Sequence, residues 1–235
     1  QGAKAAWNLR VLDMLAQLFS AATLDIRDQV RDPRRFYELL PIVESKETFL
    51  KPIYRVFAEA ARGLPIVFTS LKDWRHPQDV FIGLPGSKLP ALASDYIAVL
   101  PAGATEAFRR FLHEVMKSPQ LNWEHIVAFL RAQDLTSGVA LTATHPMIRG
   151  SGDRPTEKIE LLYAELPGQP TAGQRQLLAD VPLFLAEDGT LWRYSQLWRA
   201  DQTTRNLLKG FDIRFADIEF QRRRAVETLV TEFRG

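Results

Sequence analysis

The 235-residue chain contains no cysteine, so a disulfide-stapled secreted scaffold and a thiolate metal site are both excluded. No apolar run approaches the ~20 residues that cross a bilayer as a helix, so no membrane partner is expected. Charge of one sign is also lacking. The formal net charge is +2, too small to draw the whole molecule towards nucleic acid or anionic lipid. Gln1-Gly2-Ala3-Lys4 supplies neither an initiator methionine nor a signal peptide and leads straight into an amphipathic pattern. The chain therefore reads as a piece of a longer polypeptide, with a cytoplasmic location as the expectation.

What is present is a globular composition. Hydrophobic residues make up 46% and charged residues 25%, enough apolar material for one large domain or two intimate subdomains. From Ala5 to Ala22, Trp7, Val11, Leu12, Leu15, Leu18 and Phe19 share one helical stripe, and the helix continues through Leu24 to Val30. Part of this helix, Trp7 included, either enters the domain's own core or packs on a neighbouring module. Phe36, Tyr37, Leu39 and Leu40 form a short helix that must end before Pro41, because a residue preceding proline is pushed out of the α region. A new helix then starts near Ser45 and buries Phe49, Ile53, Val56, Phe57 and Ala60 at three- and four-residue spacing. Gly63 stops it.

Two stretches then share one pattern. Leu64-Pro65-Ile66-Val67-Phe68 is followed by a polar turn, Trp74 and Val80-Phe81-Ile82. Val181-Pro182-Leu183-Phe184-Leu185 is followed by Glu187-Asp188-Gly189-Thr190, Trp192 and Leu197-Trp198. Each is an apolar strand, a turn and a returning segment, with Asp188-Gly189 a strong hairpin signal because glycine tolerates positive φ. The expected fold class is α/β in the α+β sense: two helix-rich subdomains, each carrying a small sheet or hairpin. The first spans residues 1–100 with its hairpin at 64–82, and the second spans residues 101–235 with its hairpin at 181–198.

The run from Phe36-Tyr37 through Pro41, Ile53-Tyr54 and Leu64-Pro65-Ile66-Val67 to Trp74 and Phe81-Ile82 resembles repeat-region segments of sacsin and its bacterial relatives. Pro182-Leu183-Phe184-Leu185 with Asp188-Gly189 resembles another recurring piece of that region. In those multidomain proteins an ATPase module similar to that of the ninety-kilodalton heat-shock chaperones precedes such segments. The resemblance implies a non-catalytic middle segment that couples adjacent domains or binds a client or partner protein, with ATP and magnesium held in a preceding domain. Asp188-Gly189 is followed by Thr190-Leu191 with no second glycine, and no Glu/Asn metal-holding helix precedes it. No cofactor is therefore expected on this chain, and the fragment itself is not expected to be an enzyme.

Candidate contact residues are Trp123, Trp192 and Trp198, because aromatic anchors dominate interfaces, together with Arg149 and Arg222, Arg223 and Arg224. An alternative is an enzyme whose site lies on the 143–155 loop, where His145, Arg149, Ser151, Asp153 and Arg154 accumulate. A nucleophile there would still need a held base and an oxyanion site. Another alternative is nucleic-acid binding through Arg222 to Arg224. On a helix from Ala216 to Phe233, at ~100° per residue, they would point in different directions, which makes a solvated face the plainer account. Gly83 to Pro90 faintly resembles a phosphate loop, but its spacing is wrong and Ser87 intervenes. His113 and His125 lie on two helices, capped by Thr105 and Asn122, with nothing in their spacing that requires a shared metal. Further strands are expected at Tyr96 to Pro101 and, by alternation, at Phe211 to Phe215, and further helices at Thr156 to Leu166 and Thr203 to Leu208.

Overall fold

A computed structural model describes residues 2–30, 32–40, 51–140, 145 and 155–233. The elements, in chain order, are α1 (Gly2–Gln29), α2 (Pro33–Leu39), α3 (Lys51–Arg62), β1 (Val67–Phe68), β2 (Trp74–Arg75), β3 (Ile82–Gly83), α4 (Leu89–Ala93), α5 (Glu106–Arg110) and β4 (Gln120–Leu121). They continue with α6 (Trp123–Ala132), β5 (Val139–Ala140), α7 (Pro155–Glu165), α8 (Ala172–Ala179), β6 (Phe184–Leu185), β7 (Thr190–Trp192), β8 (Trp198–Arg199), α9 (Gln202–Leu207), α10 (Arg224–Leu229) and β9 (Thr231–Glu232). The architecture is α+β, helix-rich with small sheets of two or three strands.

The chain forms two compact units that exchange short segments. The first takes residues 1–85 and 97–121, and the second takes 86–96 and 122–235. The division therefore does not fall at a single point near residue 100. The connector carrying α4 belongs with the second unit, where Leu89, Leu92 and Ala93 are buried.

In the first unit, Asp32 caps α2 by accepting from the Arg34 amide at 3.0 Å, and Pro33 supplies the fixed φ suited to a first turn. Phe36 and Tyr37 of α2 enter a core with Phe57, Phe108 and Phe111, where the Tyr37 and Phe108 rings stack at 3.9 Å. Full burial of side chains such as Phe36 or Phe57 contributes about 1.5–3 kcal/mol each. α1 joins this core through Phe19, edge-on to Phe57 at 5.8 Å. Thr105 caps α5, and a π-helical turn, Phe111–Met116, follows. Its wider turn places Phe111, Leu112 and Met116 inward together. The expected start of α3 near Ser45, and the side chain of Trp7, lie outside the described residues.

The two hairpins match bond for bond. β1 and β2 pair antiparallel with Val67 opposite Arg75 and Phe68 opposite Trp74, and β6 and β7 pair with Phe184 opposite Trp192 and Leu185 opposite Leu191. Both turns are closed the same way. The Lys72 amide donates to the Thr69 carbonyl at 3.1 Å and the Gly189 amide to the Ala186 carbonyl at 3.0 Å, and both residues are left-handed, with φ of 66° and 77°. A short 3-10 turn follows in each unit, at Pro77–Asp79 and Tyr194–Gln196. All these positions differ by one shift of 117, from 67 to 184 and from 77 to 194. Beyond them, Phe81 bridges Val99 in parallel and Trp198 bridges Phe215 in parallel. The chain then closes each unit through another parallel pair, β3 with β4 and β8 with β9.

That register corrects one detail of the sequence pattern: the tryptophans are not counterparts. Trp74 corresponds to Leu191, and Trp192 corresponds to Arg75. Two other expectations also change. Phe211 to Phe215 is not a strand; Gly210, at φ 109°, turns the chain, and only isolated bridges form at Phe211 and Phe215. Tyr96 to Pro101 likewise contributes a single bridge, at Val99.

Candidate functional site

The feature that builds each unit is a tyrosine. The Tyr37 hydroxyl of α2 accepts from the Phe68 amide at 2.9 Å and donates to the Phe68 carbonyl at 3.2 Å. The Tyr163 hydroxyl of α7 accepts from the Leu185 amide at 2.9 Å and donates to the Leu183 carbonyl at 3.0 Å. Each phenol occupies the hairpin edge that its partner strand leaves open, satisfying groups that would otherwise be buried unpaired or offered to another chain. Burial pushes the Tyr37 phenol up to about 12, opposed by its backbone hydrogen bond, and burial likewise raises Tyr163. The signal was in the sequence: Phe36-Tyr37 with Leu40-Pro41, and Leu162-Tyr163 with Leu166-Pro167, are the same motif.

These tyrosines are structural, and so are most of the polar candidates. His125 completes a capping box on α6: its Nδ1 accepts from the Asn122 amide at 3.2 Å while its own amide donates to Asn122 Oδ1 at 3.1 Å. Burial holds His125 below the ordinary imidazole range, with Glu124 opposing. His113 pairs with the Gln120 side chain at 2.6 Å. Among the described residues, no group of three or more His, Cys, Asp or Glu is placed to hold a metal ion. The loop resembling a phosphate site already holds a carboxylate of the protein, since Glu165 Oε1 accepts from the Ser87 hydroxyl at 3.1 Å and from the Lys88 amide at 3.2 Å.

On the 143–155 loop only His145 and Pro155 are described. His145 is buried, and burial lowers its pKa. Arg149, Ser151, Asp153 and Arg154 lie outside the described residues. Arg222, Arg223 and Arg224 do not share a long helix: Arg222 and Arg223 sit in the turn before α10, and Arg224 opens it. Arg223 faces Glu160 at 3.6 Å, and the Arg224 stem lies where a Cβ on Gly168 would be. The Arg223 and Arg224 side chains thus go to separate neighbours.

The aromatic candidates separate by exposure. Trp123 is buried as the first residue of α6. Trp192 is half-buried: its indole N–H donates to the Thr190 hydroxyl at 2.6 Å, the Arg214 guanidinium lies 4.4 Å from its ring centroid, and Gly138 approaches it so closely that a Cβ there would stand 3.2 Å away. Trp198 is 39% exposed and edge-on to Phe233 at 5.5 Å. Leu207, Phe211 and Ile218 of the same unit are also exposed. A polar cleft of about 400 Å³ in this unit is lined by Arg131, Asp134, Asp180 and Arg193 beside Leu130 and Pro182. Arg131 is paired with Asp180 at 2.9 Å, and the lining offers no hydroxyl, imidazole or thiol. Among the described residues no helix is long and apolar enough to cross a membrane.

Comparison with protein-family models, with curated proteins and with solved structures gives no match.

Proposed function

We propose that the chain is a non-catalytic segment of a sacsin-like, chaperone-related ATPase protein and acts by binding protein, either adjacent domains of the same polypeptide or a client. The observation that carries this reading is the division of labour among its side chains. The polar groups that could have served chemistry, Tyr37, Tyr163, His125 and Glu165, close strand edges, helix ends and a loop, while the second unit leaves Trp198, Leu207, Phe211 and Ile218 exposed. Exposed aromatic and aliphatic side chains are the currency of protein contacts, with tryptophan the most enriched at energetic centres.

A cytoplasmic setting, with nucleotide chemistry in a preceding module, completes the proposal. Light scattering of a heat-aggregating client protein tests it. Suppression by the chain at stoichiometric ratios, weakened by Trp198→Ser, is the expected result. Undiminished aggregation together with substrate turnover by the isolated chain would overturn it.

A further inference from the structure

A two-strand hairpin has two outer edges, so two hairpins present four, and three of these are filled. Tyr37 takes the outward amide and carbonyl of Phe68 in β1, and Tyr163 takes the Leu185 amide and the Leu183 carbonyl at β6. The third edge, on β7, is filled by β5: the Gly138 amide donates to the Leu191 carbonyl at 2.8 Å, and Val139 stands opposite Leu191. The fourth belongs to β2, whose strand neighbour among the described residues is β1 alone. An edge in that state is a template for another strand.

Hydrogen bonding fixes which groups that edge presents. The Thr69 amide donates to the Asp73 carbonyl at 2.8 Å, so Asp73 turns its carbonyl towards β1, and Trp74, one residue on, turns its amide and carbonyl away. The matching bond, from the Ala186 amide to the Thr190 carbonyl at 2.8 Å, turns the Leu191 groups outward, where β5 meets them. At Trp74 no described residue does so. Side chains alternate along the edge. Trp74 faces the core, edge-on to Phe36 at 5.1 Å, while Asp73 and Arg75 share the other face, ion-paired at 2.8 Å with side chains 42% and 39% exposed. An antiparallel strand added here must set a cation against Asp73 and an anion against Arg75, with an apolar residue between them. Read in its own direction that strand is acidic, apolar, basic, and Asp73-Trp74-Arg75 is such a sequence.

We infer that the β2 edges of two copies of this chain pair antiparallel about a two-fold axis at Trp74. The Trp74 amide of each copy donates to the Trp74 carbonyl of the other, and Asp73 and Arg75 of one copy stand opposite Arg75 and Asp73 of its partner. Four charges of alternating sign then line one face of a continuous sheet in the order β1-β2-β2-β1. The contact is isologous and occupies the β2 edge of both copies, so assembly stops at the dimer. It is independent of client binding through Trp198, which lies in the second unit.

Sedimentation of the full chain up to millimolar concentration reads it out. The wild type should pass from monomer to dimer and no further. Asp73→Arg or Arg75→Asp sets like charges opposite each other at two places and should raise the dissociation constant about tenfold or more. Mixing the two variants sets opposite charges against each other at both places and should restore a heterodimer of wild-type affinity. Both side chains reach solvent, and unchanged circular dichroism separates lost pairing from lost folding. Amide exchange needs no substitution: the Trp74 amide should exchange freely in dilute protein and become protected as concentration rises, with Phe68 protected throughout. A wild type that stays monomeric, a dimer indifferent to both charge changes, or a mixture as weak as its components overturns the inference. So does a Trp74 amide protected equally at every dilution, which would mean that the chain closes this edge itself.

Discussion

The two units solve one backbone problem with different side chains. Each must hold a two-strand hairpin against a helix and tie it to a parallel bridge eighteen or so residues on. The Ser70 amide donates to the Val99 carbonyl at 2.9 Å, and the Glu187 amide, at the matching position, donates to the Phe215 carbonyl at 3.2 Å. There the likeness ends. The Ser70 hydroxyl donates to the Ile97 carbonyl at 3.1 Å and accepts from the Val99 amide at 3.3 Å, a local and neutral tie. The Glu187 carboxylate instead pairs with the buried Arg205, whose guanidinium reaches two carbonyls as well. The first unit turns on Lys72 in a conformation that suits glycine, and the second turns on Gly189. The second also adds β5 to the outer edge of β7, with Val139 opposite Leu191. Main-chain wiring is thus the shared specification, and the tryptophans that catch the eye belong to what differs.

That contrast can be broken at its strongest point. Arg205→Met removes a buried cation with three partners and should cost about 3 kcal/mol, while Ser70→Ala should cost about 1 kcal/mol, both by urea unfolding. The shared tyrosines come next. Tyr163→Phe should cost about 2 kcal/mol and Tyr37→Phe about 1 kcal/mol, since the first leaves its strand groups in a fully buried place and the second at a partly buried edge. The turns should respond in opposite directions by similar amounts: Lys72→Gly relieves left-handed strain and stabilises by about 0.5–1 kcal/mol, whereas Gly189→Ala introduces it and destabilises by about 1 kcal/mol.

The smallest effect is a pH dependence at the turn of the first hairpin. The Thr69 hydroxyl, and next Arg75, hold the Asp73 carboxyl below its usual value of 3.8. A depressed carboxylate contributes stability that is present above the unfolded value and is lost as pH falls through the folded one. Thermal melts of the chain should therefore weaken below about pH 4, and Asp73→Asn should lessen that dependence.

Helices were legible wherever their ends carry local chemistry. α2 ends at Leu39, and the Thr105 and Asn122 caps open α5 and α6 where their local chemistry puts them, whereas the apolar stripe of the opening helix is only partly inward, with Leu12 and Leu18 exposed. The hairpins were legible from their proline-led apolar runs and from Asp188-Gly189. The repeat's actual pin is not legible locally, because a tyrosine hydroxyl reaches its strand 31 residues away in one unit and 22 in the other. No local pattern announces that reach, although the paired motif around Tyr37 and Tyr163 does. Alternation misled at Phe211 to Phe215, where Gly210 turns the chain and Phe211 faces solvent. The arginine run misled in the same way, since Arg222 and Arg223 precede the helix assigned to them.

Amide hydrogen exchange at Phe68 and Leu185 addresses the duplication most directly. Both amides should be protected in the wild type, with Tyr37→Phe releasing Phe68 alone and Tyr163→Phe releasing Leu185 alone. Exchange at either amide that is indifferent to its own tyrosine would contradict a fold built twice around a phenol-capped strand edge.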